Sequence, residues 1–92
     1  MTGPGQSIHV LAISTVSDSN RYWGVLKQAY ARLPAGARWI LAVSSTDGAK
    51  AVNIIAHDSV ESVAGFFEEY AAPFAATEYF EADAANAVGL TE

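Results

Sequence analysis

Two histidines, His9 and His57, are the side chains of this 92-residue sequence best suited to moving protons near neutral pH. The chain has no cysteine, which excludes thiol catalysis, disulfides and Cys-ligated zinc or iron–sulfur sites. Each histidine has candidate neighbours. His9 falls near Glu81 and Asp83 if the last strand returns beside the first. A carboxylate next to an imidazole orients it as a general base, and one histidine with two carboxylates is also a chemically allowed set for a first-row metal. His57 falls near Arg38, with Asn53 one step inward and Tyr79 close by. Two cations side by side suit an anionic or enolate-like group on a small ligand, whose oxygen Arg38 and Asn53 would polarise. Asn53 carries a second argument. An amide among apolar strand residues needs hydrogen-bond partners if buried, from a ligand, a second subunit or a trapped water. The plainer reading of His9 is a surface ion pair at a strand end, and of His57 a strand-end residue beside a helix cap. No Gly-rich phosphate loop, nucleophile elbow or Walker-type motif occurs, and no cofactor is expected.

The composition bounds what can position these residues. The chain is 51% hydrophobic and 16% charged, enough to bury a core in one domain. Charge is segregated. All five basic residues (Arg21, Lys27, Arg32, Arg38, Lys50) lie before position 51, where only Asp18 and Asp47 are acidic, and the eight remaining acids follow with no base among them. The two halves are suited to attract each other, within one subunit or between two. No Lys/Arg cluster exists to neutralise several phosphates, so nucleic acid is not an expected partner. No apolar run reaches the ~18 residues of a membrane span. The start MTGPGQS lacks the pattern of a signal peptide, so a cytoplasmic protein is expected.

The hydrophobic pattern gives six elements between an irregular, disordered segment at 1–7 and a small apolar tail at 84–92. Ile8 to Thr15 reads as a central strand. Ser17-Asp18-Ser19 offers N-cap oxygens to a helix whose stripe is Tyr22, Leu26, Ala29, Tyr30 and Leu33, stopped by Pro34 and Gly36. Arg38 to Ser44 and Lys50 to His57 flank Ser45-Thr46-Asp47-Gly48-Ala49, a hairpin. Asp58 with Glu61 three positions on resembles a capping box for a second helix with the stripe Val60, Val63, Ala64, Phe67, Ala71 and Phe74, bent or ended at Pro73. Glu78 to Asp83 alternates as a last strand. Trp23 and Phe66 lie off the helical stripes, in reach of a pocket mouth or a partner. The order βαββαβ predicts an α+β, ferredoxin-like domain over 8–83, with four antiparallel strands and two helices on one face. The first and third strands are expected to be central and parallel, which sets His9 and His57 roughly 20 Å apart at about 3.3 Å per residue.

With Asp47 and Gly48 as the turn, Val43 opposes Val52, Leu41 opposes Ile54 and Trp39 opposes Ala56. All six are apolar, so this side is assigned to the helices, with Ile8, Val10, Ala12, Phe80 and Ala82. The other side then carries Ser44 with Ala51, Ala42 with Asn53, Ile40 with Ile55 and Arg38 with His57, together with His9, Leu11, Ile13, Thr15, Tyr79, Glu81 and Asp83. Leaving Leu11, Ile13, Ile40 and Ile55 in water is unfavourable, which points to a second copy packed sheet against sheet.

The element order, the length and the run ARWILAVSSTDGAKAVNIIAHDSVESVAGFF (residues 37–67) resemble the small stand-alone members of the dimeric α+β-barrel superfamily, over about residues 8–83. The resemblance implies a homodimer whose sheets enclose a lumen or cleft. Relatives include heme-degrading and quinone-forming monooxygenases, muconolactone isomerases, polyketide cyclases and a nickel-binding branch. No motif ties the chain to one branch. The expected function is binding of a small hydrophobic or aromatic molecule in a cleft on the open sheet face, with His57 or His9 as proton carriers and Arg38, Asn53, Tyr79, Ile40 and Ile55 as the ligand's surroundings. Its catalytic version is a cofactor-independent cyclase, isomerase or monooxygenase. The alternative is a non-catalytic module, either metal-binding (nickel-type, with His9, Glu81 and Asp83) or structural and dimeric.

Overall fold

A computed structural model describes residues 7–90. The irregular segment expected at the N-terminus lies, up to Gln6, outside the described residues. The elements are β1 (Ile8–Val16), α1 (Ser19–Ala31), β2 (Arg38–Ser44), β3 (Lys50–His57), α2 (Val60–Ala71) and β4 (Ala75–Glu81), with short 3₁₀ turns at Ala72–Phe74 and Ala84–Asn86. They form the expected α+β, ferredoxin-like arrangement, one four-stranded antiparallel sheet in the order β2-β3-β1-β4 with two helices. No helix among the described residues is long and apolar enough to cross a membrane.

Local chemistry sets the element ends. Asp18 caps α1, its carboxylate accepting from the Arg21 N–H at 3.1 Å. The cap of α2 is Ser59, one residue later than the expected Asp58, because the Ser59 hydroxyl reaches the Ser62 N–H at 3.0 Å. Pro73 falls inside the 3₁₀ turn that ends α2, and β4 then begins at Ala75, three residues before the expected Glu78. In the hairpin, Gly48 adopts φ +77°, a conformation that L side chains rarely take. Asp47 accepts from the Ala49 N–H at 2.9 Å.

Three expectations about the sheet are corrected. β1 runs antiparallel to β3, not parallel. A helical crossover returns β2 parallel to β1, and the hairpin then reverses the chain, so β3 must oppose β1. His9 pairs with Ala56 and His57 with Ile8, which brings both histidines to one end of the sheet instead of separating them along it. Alternation puts them on opposite faces.

The second correction concerns the faces of β3 and β4. Asn53 and Ile55, expected on the open side, face the helices together with Ala51, and all three are buried. Val52 and Ile54 face away and stay part-exposed. Tyr79 also faces the helices, whereas Phe80 is 48% exposed on the open side. β1 keeps its expected faces, with Val10 and Ala12 buried against the helices. The core gathers Val10, Ile55 and Ala51 from the sheet, Tyr22 and Leu26 from α1, and Val63, Phe67 and Ala71 from α2.

The third correction is a bulge. Pairing along the hairpin follows the expected register from Ser44↔Ala51 to Leu41↔Ile54, then shifts so that Trp39 meets Ile55 and Arg38 meets Ala56. Ile40 is the extra residue. One inserted residue flips the side-chain alternation, which moves Trp39 from the Leu41/Val43 face to the helix face.

Candidate functional site

The bulge and α1 together build the cavity richest in aromatic rings among the described residues. On α1, Trp23, Leu26, Lys27 and Tyr30 stand at i, i+3, i+4 and i+7, a flank next to the buried stripe of Tyr22, Leu26 and Ala29. Opposite them Trp39, Ile40, Leu41 and Ala42 of edge strand β2 close the other wall. The space between them is about 330 Å3 and opens to solvent. Tyr30, expected in the buried stripe, is 62% exposed at the rim. Its ring lies 6.0 Å from that of Trp39, and Trp23 sits edge-on to Tyr22 at 5.3 Å.

Behind this cavity a buried polar chain fixes Trp39. The indole Nε1–H of Trp39 donates to Asn53 Oδ1 at 3.0 Å. Asn53 Nδ2 donates to the Tyr22 hydroxyl at 3.1 Å, which donates to Ser14 Oγ at 3.2 Å. The Ser14 and Thr77 hydroxyls meet at 2.8 Å. The chain crosses all four strands and α1, and Asn53, Tyr22 and Ser14 are fully buried. Burial pushes the Tyr22 phenol up, so it stays protonated at neutral pH. Asn53 therefore finds its partners inside one subunit. Both ends of its amide are engaged by protein groups. Phe67 supports the same wall, with ring centroids 6.2 Å from Trp39 and 6.4 Å from Tyr22.

The other predicted site residues are dispersed. His57 shares the helix side with Ile8, and its Nδ1 lies 4.0 Å from Asp58 Oδ1. Arg38 does not face His57. By register it shares the open-face row of Ala56 and His9, with Ala56 between them. Tyr79 donates its hydroxyl to Glu68 Oε2 of α2, and burial together with that carboxylate pushes its phenol pKa far up. Ile55 is buried in the core, and Ile40 alone of the predicted ligand-binding set lines the aromatic cavity.

His9 is buried and lines a hollow of about 580 Å3 with Glu81, Ala82 and Asp83. Glu81 pairs with Val10, so register sends it to the opposite face from His9. Asp83 spends its carboxylate on the following turn, accepting from Ala85 N–H at 3.0 Å and Asn86 Nδ2 at 2.7 Å. Among the described residues no three His, Asp or Glu side chains gather to hold a metal ion. The tail after β4 is not simply irregular. It turns back over the open face, where residues 81–83 and 86–90 with Leu11, Ile40, Leu41 and Ile54 line a hollow of about 440 Å3.

Of the cavity residues, Ile40 was expected around a ligand and Trp23 near a pocket mouth, whereas Leu26, Lys27, Tyr30, Trp39, Leu41 and Ala42 were missed. The signal for Lys27 and Tyr30 was their spacing of four and seven from Trp23, a second flank beside the buried one. No family model matches the chain, and the comparisons with curated proteins and with solved structures also find no match.

Proposed function

We propose that the protein binds a small, flat, apolar or aromatic molecule in the cavity between α1 and β2, and that it works as a homodimer joined through the open sheet faces. The observation that carries the binding reading is the wall of Trp23, Tyr30 and Trp39 around about 330 Å3, with Leu26, Ile40 and Leu41 completing an apolar lining. A volume near the low end of the ~300–1,000 Å3 of small-molecule sites suits one compact ring system. The cleft first expected on the open face thus moves to the helix side. Neither His9 nor His57 lines the cavity, so their positions support binding and lend no acid–base partner to a bound molecule.

The dimer reading rests on the open face. Leu41, Val43 and Phe80 are 44%, 49% and 48% exposed, beside the half-buried Leu11, Ile13, Val52 and Ile54. The apolar surface that the tail leaves uncovered favours a partner. Lys50 and Glu78 flank β1 on this face, on β3 and β4 respectively. A second copy turned about an axis along β1 sets Lys50 of each copy two residues along the strand from Glu78 of the other. Sedimentation is expected to give a dimer, and Val43→Asp a folded monomer. A wild-type protein that sediments as a lone subunit overturns this part.

Binding is tested on the two tryptophans, the only two in the chain, each giving one indole N–H signal in an NMR spectrum of ¹⁵N-labelled protein. Titration with 2-naphthylmethanol is expected to move both signals saturably. Shifts confined to Leu11, Ile54 and the tail, or no saturable shift, overturn the reading.

A further inference from the structure

The binding proposal leaves the charge of the ligand open, and the residues that build the cavity bear on it. Lys27 is the one charged residue among the eight that line the space. On α1 the positions three and four away from it are Trp23, Gly24, Tyr30 and Ala31, so no carboxylate is placed to pair with it along the helix. Lys27 makes no hydrogen bond or ion pair with another described residue.

The surroundings reinforce this. Between Asp18 and Asp47 the sequence contains no acidic residue, while Arg21, Lys27, Arg32 and Arg38 all fall there. Every residue of the cavity wall comes from this acid-free stretch. A protein of net charge −5 therefore presents its aromatic cavity in the one part of its chain where positive charge prevails. Arg21 is paired with Asp18 at 3.6 Å, so Lys27 is the cation that lines this mouth and would draw an acidic ligand to it.

The Trp39 indole N–H is already committed to Asn53, which leaves that tryptophan to offer its ring and not its donor. The Lys27 ammonium carries three N–H donors on a flexible stem. We infer that the cavity is built for an aromatic anion, a ring system seated among Trp23, Tyr30 and Trp39 with a carboxylate or phenolate oxygen held at the mouth by Lys27. This inference rests on the binding proposal above and adds the charge of the ligand to it. A charge-assisted contact at an exposed mouth is modest in strength and weakens with salt.

The test compares 2-naphthoate with 2-naphthylmethanol, which share a ring system and differ in charge, by calorimetric titration of the full chain at low salt. The wild type is expected to bind 2-naphthoate about fivefold more tightly, on the order of an exposed charge pair. Lys27→Gln is expected to remove the preference, Lys27→Glu to reverse it and Lys27→Arg to keep it, each read as the ratio of the two affinities within one variant. Raising the salt should narrow the wild-type preference. An equal affinity for both molecules in the wild type, or a preference for 2-naphthoate that survives Lys27→Gln, overturns the inference while leaving the cavity as the binding site. Failure of both molecules to bind the wild type overturns the inference together with the proposal beneath it.

Discussion

Asn53 holds two aromatic residues at once. Its amide accepts from Trp39 and donates to Tyr22, in a site sealed from water. Leucine has a similar size but leaves the indole N–H and the phenol each short of one partner. An unmatched buried polar group costs ~1–3 kcal/mol, so Asn53→Leu is expected to lower unfolding stability by about 3 kcal/mol in a urea titration. It should also shift the Trp39 indole N–H signal while leaving that of Trp23 nearly in place. That this residue needed partners was legible from an amide between Val52 and Ile54 in a strand. Who the partners were was not, because the partners sit 14 and 31 positions away on β2 and α1. The histidines teach the opposite lesson. Their chemistry made them the first candidates, yet His57 lies beside Asp58 at a strand end and His9 faces the other side of the sheet. Residue type alone carried no information about which face each would take.

Element existence and order were readable because apolar periodicity, caps and the Asp-Gly turn agree with one another over β1, α1, the hairpin and α2. The faces of β3 were not. Ala51, Asn53, Ile55 and His57 alternate with Lys50, Val52, Ile54 and Ala56, and both sets contain aliphatic residues, so the pattern does not say which set is buried. The deciding contact is tertiary, since burying Asn53 requires the Tyr22 hydroxyl that α1 brings over the sheet. β2 hid its bulge for a related reason: Trp39, Ile40 and Leu41 are consecutive apolar residues, and any of them fits either side. The bulge is what turns Trp39 into the cavity. Deleting Ile40 removes the extra residue and leaves Trp39 next to Leu41 and opposite Ile55, still on the helix face. The variant is therefore expected to keep the Trp39–Asn53 hydrogen bond while losing part of one cavity wall and weakening the binding of 2-naphthylmethanol, read from the indole signals. Loss of the hydrogen bond would show that the bulge, and not the pairing with Ile55, holds Trp39 on that side.

At the scale of the molecule, the two sides of the sheet divide the work. The helix side is packed around Phe67, which touches the rings of Tyr22, Trp39 and Tyr79, and opens at its β2 edge, where the aromatic cavity lies. The other side keeps Leu41, Val43 and Phe80 in water and is partly roofed by the tail. Ile40 and Leu41 belong to the walls of both spaces, so the edge strand is the partition between a ligand site and the proposed subunit contact. An apolar molecule offered to the protein must choose between them. A crystal structure of the protein with 2-naphthylmethanol makes that choice visible. The account predicts the naphthalene ring among Trp23, Tyr30 and Trp39 in each subunit, with the open faces turned towards each other. A ring seated against Leu11 and Ile54 beneath the tail, with the aromatic cavity closed, would contradict it.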